Sequence, residues 1–126
     1  STIIQLEVVM EAQKIKDAQK IVDLKKGCFN LVDYALGEGF KVTTYVDGEA
    51  ETENSKDYEA LKKSLECADE VEIEILTEAG SQVGWALAVP YESDADSLAD
   101  WSMTPFMNKW DKQYENLITQ LEVEDD

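Results

Sequence analysis

Glutamates stand at alternate positions twice in this chain, at Glu49, Glu51 and Glu53 and again at Glu70, Glu72 and Glu74. In an extended segment, alternate side chains leave one face roughly 6.5–7 Å apart, from a rise of about 3.3 Å per residue. Successive phosphates on one DNA strand have a similar pitch, about one charge per 3.4 Å of helix axis on a backbone that winds around it. A carboxylate row at that spacing can therefore stand in for phosphates before a basic groove. The same alternation is also the ordinary pattern of an antiparallel sheet with one wet side. A third acidic group, Asp94, Asp96 and Asp100 with Glu92, crowds one short segment. Oxygen ligands at that density suit a hard cation such as Ca²⁺. The EF-hand order fails, however, because the sixth position is not glycine and Pro105 stands where the terminal Glu belongs. Helix capping by Asp94 or Asp96 accounts for these acids more simply, and no metal or cofactor is assigned.

What is missing narrows the chemistry further. The 126 residues hold 28 acids and 11 bases, a net charge of −17, with no histidine; all the bases are lysine. A basic nucleic-acid-binding face is excluded by that balance. Without an imidazole there is no Ser-His or Cys-His nucleophilic pair and no His-bearing zinc site. Without a guanidinium there is no bidentate clamp for phosphate or carboxylate. Carboxylate-only catalysis survives in principle, but among so many acids pairs arise at any spacing, and a non-enzymatic protein is expected. Cys28 and Cys67 are far apart and form no metal-binding pair. They read as small buried hydrophobes in a reducing compartment. With no apolar run of about 18 residues and no signal-peptide pattern, the expected address is the cytoplasm.

The elements that must position these acids follow from periodicity. Ile4, Val8, Ala12, Ile15, Ala18, Val22, Phe29, Val32 and Leu36 recur at helical steps with no proline between them. Two helices are predicted there, parted near Gly27, and Gly37 and Gly39 end the segment. Thr2 to Val9 is β-branched enough for a strand, but the helical interval decides. Phe40 to Val46 and Glu49 to Glu53 read as strands around Asp47-Gly48. A three-residue bulged loop is expected, pairing Val46 with Ala50 and Thr44 with Thr52, because a strict two-residue loop puts the glutamates on the side of Val42 and Val46.

Asn54 or Ser55 is expected to cap a helix carrying Tyr58, Leu61 and Leu65. A second hairpin follows: Val71, Ile73 and Ile75 alternate with Glu70, Glu72 and Glu74. Beyond the turn Ala79-Gly80-Ser81, Val83, Trp85, Leu87 and Val89 alternate with Gln82, Gly84, Ala86 and Ala88. Residues 91–103 read as a polar loop with one helical turn around Ser97 to Asp100. Thr104-Pro105 starts a last helix on Phe106, Trp110, Tyr114, Leu117 and Leu121. The aromatic and Met cluster from Trp101 to Trp110 reads as core, with Met107 its exposed member.

These elements compose one α+β domain in the order α-α-β-β-α-β-β-α, a four-stranded antiparallel sheet of two hairpins with helices on one face. Its parts are a helical 1–37, two hairpins flanking a helix in 38–103, the helix 104–121 and an acidic tail 122–126. Charge is unevenly distributed. Residues 1–37 balance five lysines against five acids, whereas residues 70–126 set two lysines against fourteen. Such polarity suggests a face rather than a coat.

The run Val42-Thr43-Thr44-Tyr45-Val46-Asp47-Gly48-Glu49, with Ser55-Lys56-Asp57, Asp69-Glu70-Val71 and Val83-Gly84-Trp85, resembles small acidic proteins encoded by phages and mobile elements. In those, a D-G-E hairpin precedes an S-x-D helix start, and a later G-W strand precedes an acidic loop. The resemblance spans about residues 40–100 and implies no activity. By composition, it points toward DNA mimics that block nucleic-acid enzymes. The expected function is an acidic binding protein that occupies a basic protein surface, without contacting nucleic acid or membrane itself. Glu70, Glu72 and Glu74 form the primary row, supported by Glu49, Glu51, Glu53, Asp94, Asp96 and Asp100. The alternative is an interaction module using the Trp101–Trp110 region, with the charge serving only solubility.

Overall fold

Two helices open the chain, α1 (Thr2–Leu24) and α2 (Gly27–Gly37), with the break at Lys25 and Lys26 and Gly27 as the first residue of α2. The computed structural model describes residues 2–125, and the side chains of residues 5–122. Ile4 of the apolar series and the acids at 124–126 lie outside the described side chains. Helix α2 is buried along most of its length, from Cys28 and Phe29 to Val32 and Ala35. Cys28 is buried as expected, but Cys67 is exposed; both are free thiols. Burial pushes the Cys28 thiol above its ordinary pKa.

Strands β1 (Lys41–Val46) and β2 (Glu49–Ser55) are joined by a strict two-residue turn, not the three-residue loop expected. Asp47 and Gly48 both take positive φ, 52° and 81°, which is the backbone a tight hairpin needs. Val46 consequently pairs with Glu49 and Tyr45 with Ala50, while Thr44 pairs with Thr52 as the sequence suggested. The irregularity lies further along the ladder. Glu51 is an extra residue between two paired positions, and a second shift separates Thr44 from Val42. There Asn54 adopts φ 47° and its N–H donates to Thr43 Oγ1 at 2.9 Å.

Helix α3 (Tyr58–Glu66) is capped by Asp57 rather than Asn54 or Ser55: Asp57 Oδ1 accepts the Glu59 N–H at 3.0 Å. Strands β3 (Val71–Leu76) and β4 (Gln82–Ala88) make the second hairpin. Next comes a 3₁₀ turn, Asp94–Ser97, and a fifth strand, β5 (Leu98–Trp101), where a loop was expected. Four residues are too few to show a period of two, but β4 had an unpaired edge to satisfy. Leu98, Asp100 and Trp101 pair with Ala88, Leu87 and Ala86. The sheet therefore has five strands, all antiparallel, in the order β2-β1-β3-β4-β5.

Helix α4 (Pro105–Asp125) starts as predicted, with Thr104 Oγ1 accepting the Met107 N–H at 3.3 Å and donating to the Val83 carbonyl at 2.7 Å. It runs past residue 121, so the acidic stretch from 122 to 125 is helical rather than a tail. Among the described residues, no helix is long and apolar enough to cross a membrane.

Helices α2, α3 and α4 pack on one face of the sheet. Val42, Thr44, Val71, Ile73, Ile75, Ala86 and Ala88 are fully buried beneath them. The Thr44 hydroxyl bonds the Ser64 hydroxyl of α3, and Gly84 lies under Met107 of α4. Met107 is thus core, opposite to expectation, and Met103 is the exposed member of its cluster at 81%. Trp110 stacks on Tyr114, meets Trp101 edge-on, and donates from Nε1 to Asn30 Oδ1 at 2.9 Å. Within the Trp101–Trp110 cluster, Met107 and Trp110 are thus buried, Trp101 and Phe106 half-buried and Met103 exposed.

Candidate partner-binding face

Among the described residues, no helix packs on the opposite face of the sheet. In β4 it is the small residues Gly84, Ala86 and Ala88 that turn toward the helices, so Trp85 and Leu87 stand on the open side. Register then fixes their neighbours. Tyr45, Glu72, Leu87 and Asp100 form one row across β1, β3, β4 and β5, and Thr43, Glu74 and Trp85 form the next. Neighbouring strands are about 4.8 Å apart, and alternate residues on one strand about 6.5–7 Å apart. Glu72 and Asp100 are exposed, and Tyr45, Glu74, Trp85 and Leu87 are half-buried. Aromatic rings and carboxylates are thus interleaved.

The expected acidic set divides in the structure. Glu72, Glu74, Glu53 and Asp100 come to the open face. Glu53 lines a shallow cavity of about 430 Å³ there with Thr43, Tyr45, Ala50, Glu74 and Leu76. Glu49 does not share that face with Glu53, because it pairs with Val46 on the helix side of the ladder, and Glu51 occupies the bulge. The unbroken alternation assumed for Glu49, Glu51 and Glu53 fails for that reason. Glu70 stands one residue before β3, beside Asp69, Val89, Tyr91 and Glu92 around a second hollow of about 320 Å³.

Asp94 and Asp96 belong elsewhere altogether. They lie in the 3₁₀ turn against the start of α2, where Ser97 Oγ donates to the Asp94 carbonyl at 2.7 Å and accepts the Cys28 N–H at 3.1 Å. Ser93, not either aspartate, precedes that turn as its cap residue. Burial, with the charges of Asp94, Cys28 and Asp96, pushes the Tyr114 hydroxyl up to about 12. Among the described residues, no group of three or more His, Cys, Asp or Glu side chains is placed to hold a metal ion.

Electrostatics on the open face centre on Tyr45. Its hydroxyl donates to Glu74 Oε1 at 3.0 Å. That bond, burial, and the charges of Glu74, Glu53 and Glu72 raise its pKa above the ordinary 10.0. A neutral phenol therefore sits amid carboxylates. The lysines near this face lie at one end, where Lys41 and Lys56 both pair with Glu78. Their hydrogen bonds hold the Glu78 carboxyl below its usual range. Tyr45, Trp85 and Leu87 were absent from the sequence-derived site. The signal was available in β4, where glycine and alanine alternate with large side chains, the pattern of a strand approached closely by a helix on its small-residue side.

No protein-family model, no curated protein and no solved structure matches this chain.

Proposed function

We propose that this protein is a non-enzymatic acidic binder whose open sheet face occupies a basic protein surface, in the manner of a DNA mimic. The observation that carries the reading is the uncovered face, on which Glu53, Glu72, Glu74 and Asp100 surround Tyr45, Trp85 and Leu87. Carboxylates at this spacing suit lysines and arginines that ordinarily hold a phosphate backbone. The rings of half-buried Tyr45 and Trp85 add faces over which a cation can rest. The surplus of negative charge steers a basic partner from a distance, and the half-buried aromatic residues supply the contact that retains it. The partner of choice is a nucleic-acid-binding enzyme, engaged at its nucleic-acid channel.

Capture from bacterial lysate tests this with wild type and a Glu72→Gln, Glu74→Gln, Asp100→Asn variant. A nucleic-acid enzyme retained by wild type at about 0.05 M salt, released at about 0.5 M and displaced by duplex DNA is the expected result. Equal retention by the variant would remove the face from the mechanism.

A further inference from the structure

We propose that two copies of this chain pair antiparallel through the outward stripe of α1. This surface is separate from the open sheet face. What ties α1 to the domain is polar and sits at its C-terminal end. Lys20 pairs with Asp33 of α2 at 3.0 Å and lies 4.9 Å from the Tyr58 ring centroid. Asp23, only 7% exposed, accepts from Lys62 at 2.8 Å and from the Tyr58 hydroxyl at 3.1 Å. The apolar side chains of α1 are left outside: seven of the nine large hydrophobic residues exposed among the described residues are on this one helix. A surface helix ordinarily turns such residues inward.

Val8, Ile15 and Val22 recur every seven residues, and each is more than half exposed, at 64%, 69% and 58%. A seven-residue repeat keeps side chains near one line along a helix and is the seam of paired helices. Ala12 and Ala18 flank the line and allow close approach, and exposed Glu11 flanks it between Val8 and Ile15. With the two-fold axis at Ile15, Val8 of one copy lies opposite Val22 of the other.

Charge and area select a second copy as the occupant. Helix α1 holds three lysines and four acids, so it carries −1 of the −17, and the other −16 belongs to the remainder. It is therefore the near-neutral surface on which two such acidic molecules can meet with the least opposition of acid to acid. Its 23 residues span about 34 Å at 1.5 Å per residue. Antiparallel pairing holds the two acidic bodies at opposite ends, well beyond the screening length of about 10 Å at 0.1 M salt. Parallel pairing would set them side by side. A strip about 34 Å long and about 10 Å wide covers roughly 340 Å² on each copy, about 700 Å² in all, the size of a weak, concentration-dependent pair.

Sedimentation equilibrium from about 1 to about 500 μM, at about 0.15 M and about 1 M sodium chloride, tests the pairing. Wild type should shift from monomer to dimer mass with concentration and associate at least as tightly at high salt. Ile15→Glu and, separately, Val8→Glu should weaken the dimer about tenfold or more, with the tryptophan near-ultraviolet signal of the body unchanged. In a Cys67→Ser background, Ile15→Cys should cross-link to itself on oxidation while Gln13→Cys does not. A wild type that is monomeric throughout, including one that instead floats with phosphatidylcholine vesicles, overturns the proposal, as does a dimer untouched by both charge variants. The Glu72, Glu74, Asp100 amide variant should dimerise like wild type, so failure here is distinct from failure of the sheet-face reading.

Discussion

A Cβ placed on Gly84 would sit 2.8 Å from Met107 Sδ, with Met107 Cγ at 3.1 Å and Phe106 Cδ1 at 3.2 Å. The first turn of α4 rests directly on the backbone of β4, and this contact decides which side of the strand is core. Gly84→Ala should force Met107 or the helix to shift and cost about 1–3 kcal/mol. Urea unfolding reads the loss directly, and an unchanged midpoint would mean that α4 does not lie on Gly84.

Two methionines four residues apart should behave oppositely. Met107 is fully buried, so Met107→Ala removes its contacts and leaves a void, a loss of about 2–5 kcal/mol. Met103 is 81% exposed, and Met103→Ala should stay within about 0.5 kcal/mol of wild type. Equal effects in denaturant titrations would contradict this placement of the helix.

Stability should fall in acid through Asp23. Burial pushes its carboxyl up, but hydrogen bonds from Lys62, Gln19 and Tyr58 and the charge of Lys62 outweigh burial and hold it below 3.8. On acidification the unfolded chain takes up this proton first. The contribution is therefore complete above the ordinary value and is lost as pH drops through the lower folded one. Asp23→Asn should cost about 1–3 kcal/mol at pH 7, with the gap to wild type closing toward pH 2. A gap independent of pH would exclude the carboxylate as its source.

The Tyr45 hydroxyl should ionise above 10.0, because its proton is held by Glu74 and its anion is disfavoured by burial and by Glu74, Glu53 and Glu72. Carbon-13 NMR of the tyrosine rings resolves this titration. In Glu74→Gln the midpoint should move back down, and an unmoved midpoint would break the link between the two side chains.

Much of the architecture was legible in residue pattern. The helical intervals before Gly37, the Asp47-Gly48 turn, the Val71–Ile75 alternation and the Thr104-Pro105 start each report a local preference, and each appears in the structure. Strand β5 was not legible. Its Leu98-Ala99-Asp100-Trp101 stretch owes its conformation to the free edge of β4, and a partner distant in sequence leaves no local period. The face assignments in β2 failed for a related reason: a bulge at Glu51 costs one residue of phase, and the period of two cannot be read across it. The acids of the candidate face were found as a class, but only register could separate Glu53, Glu72, Glu74 and Asp100 from Glu49, Glu51, Asp94 and Asp96. Trp85 was hidden because a large apolar residue in an alternating strand reads as core until its small neighbours are found beneath a helix.

The outermost strands have a consequence for a concentrated solution. A sheet margin offers unpaired N–H and C=O groups on which another chain can add, the first step toward fibrous stacking. Strand β2 is twice broken by shifts of register, turns left-handed at Asn54 and carries Glu49 and Glu51 along its length. Strand β5 is four residues long and bears Asp100. Neither margin is a straight template, and an incoming copy of β2 would bring glutamates against glutamates. Glu49 and Glu51, absent from the open face, thereby act as sentries against strand addition.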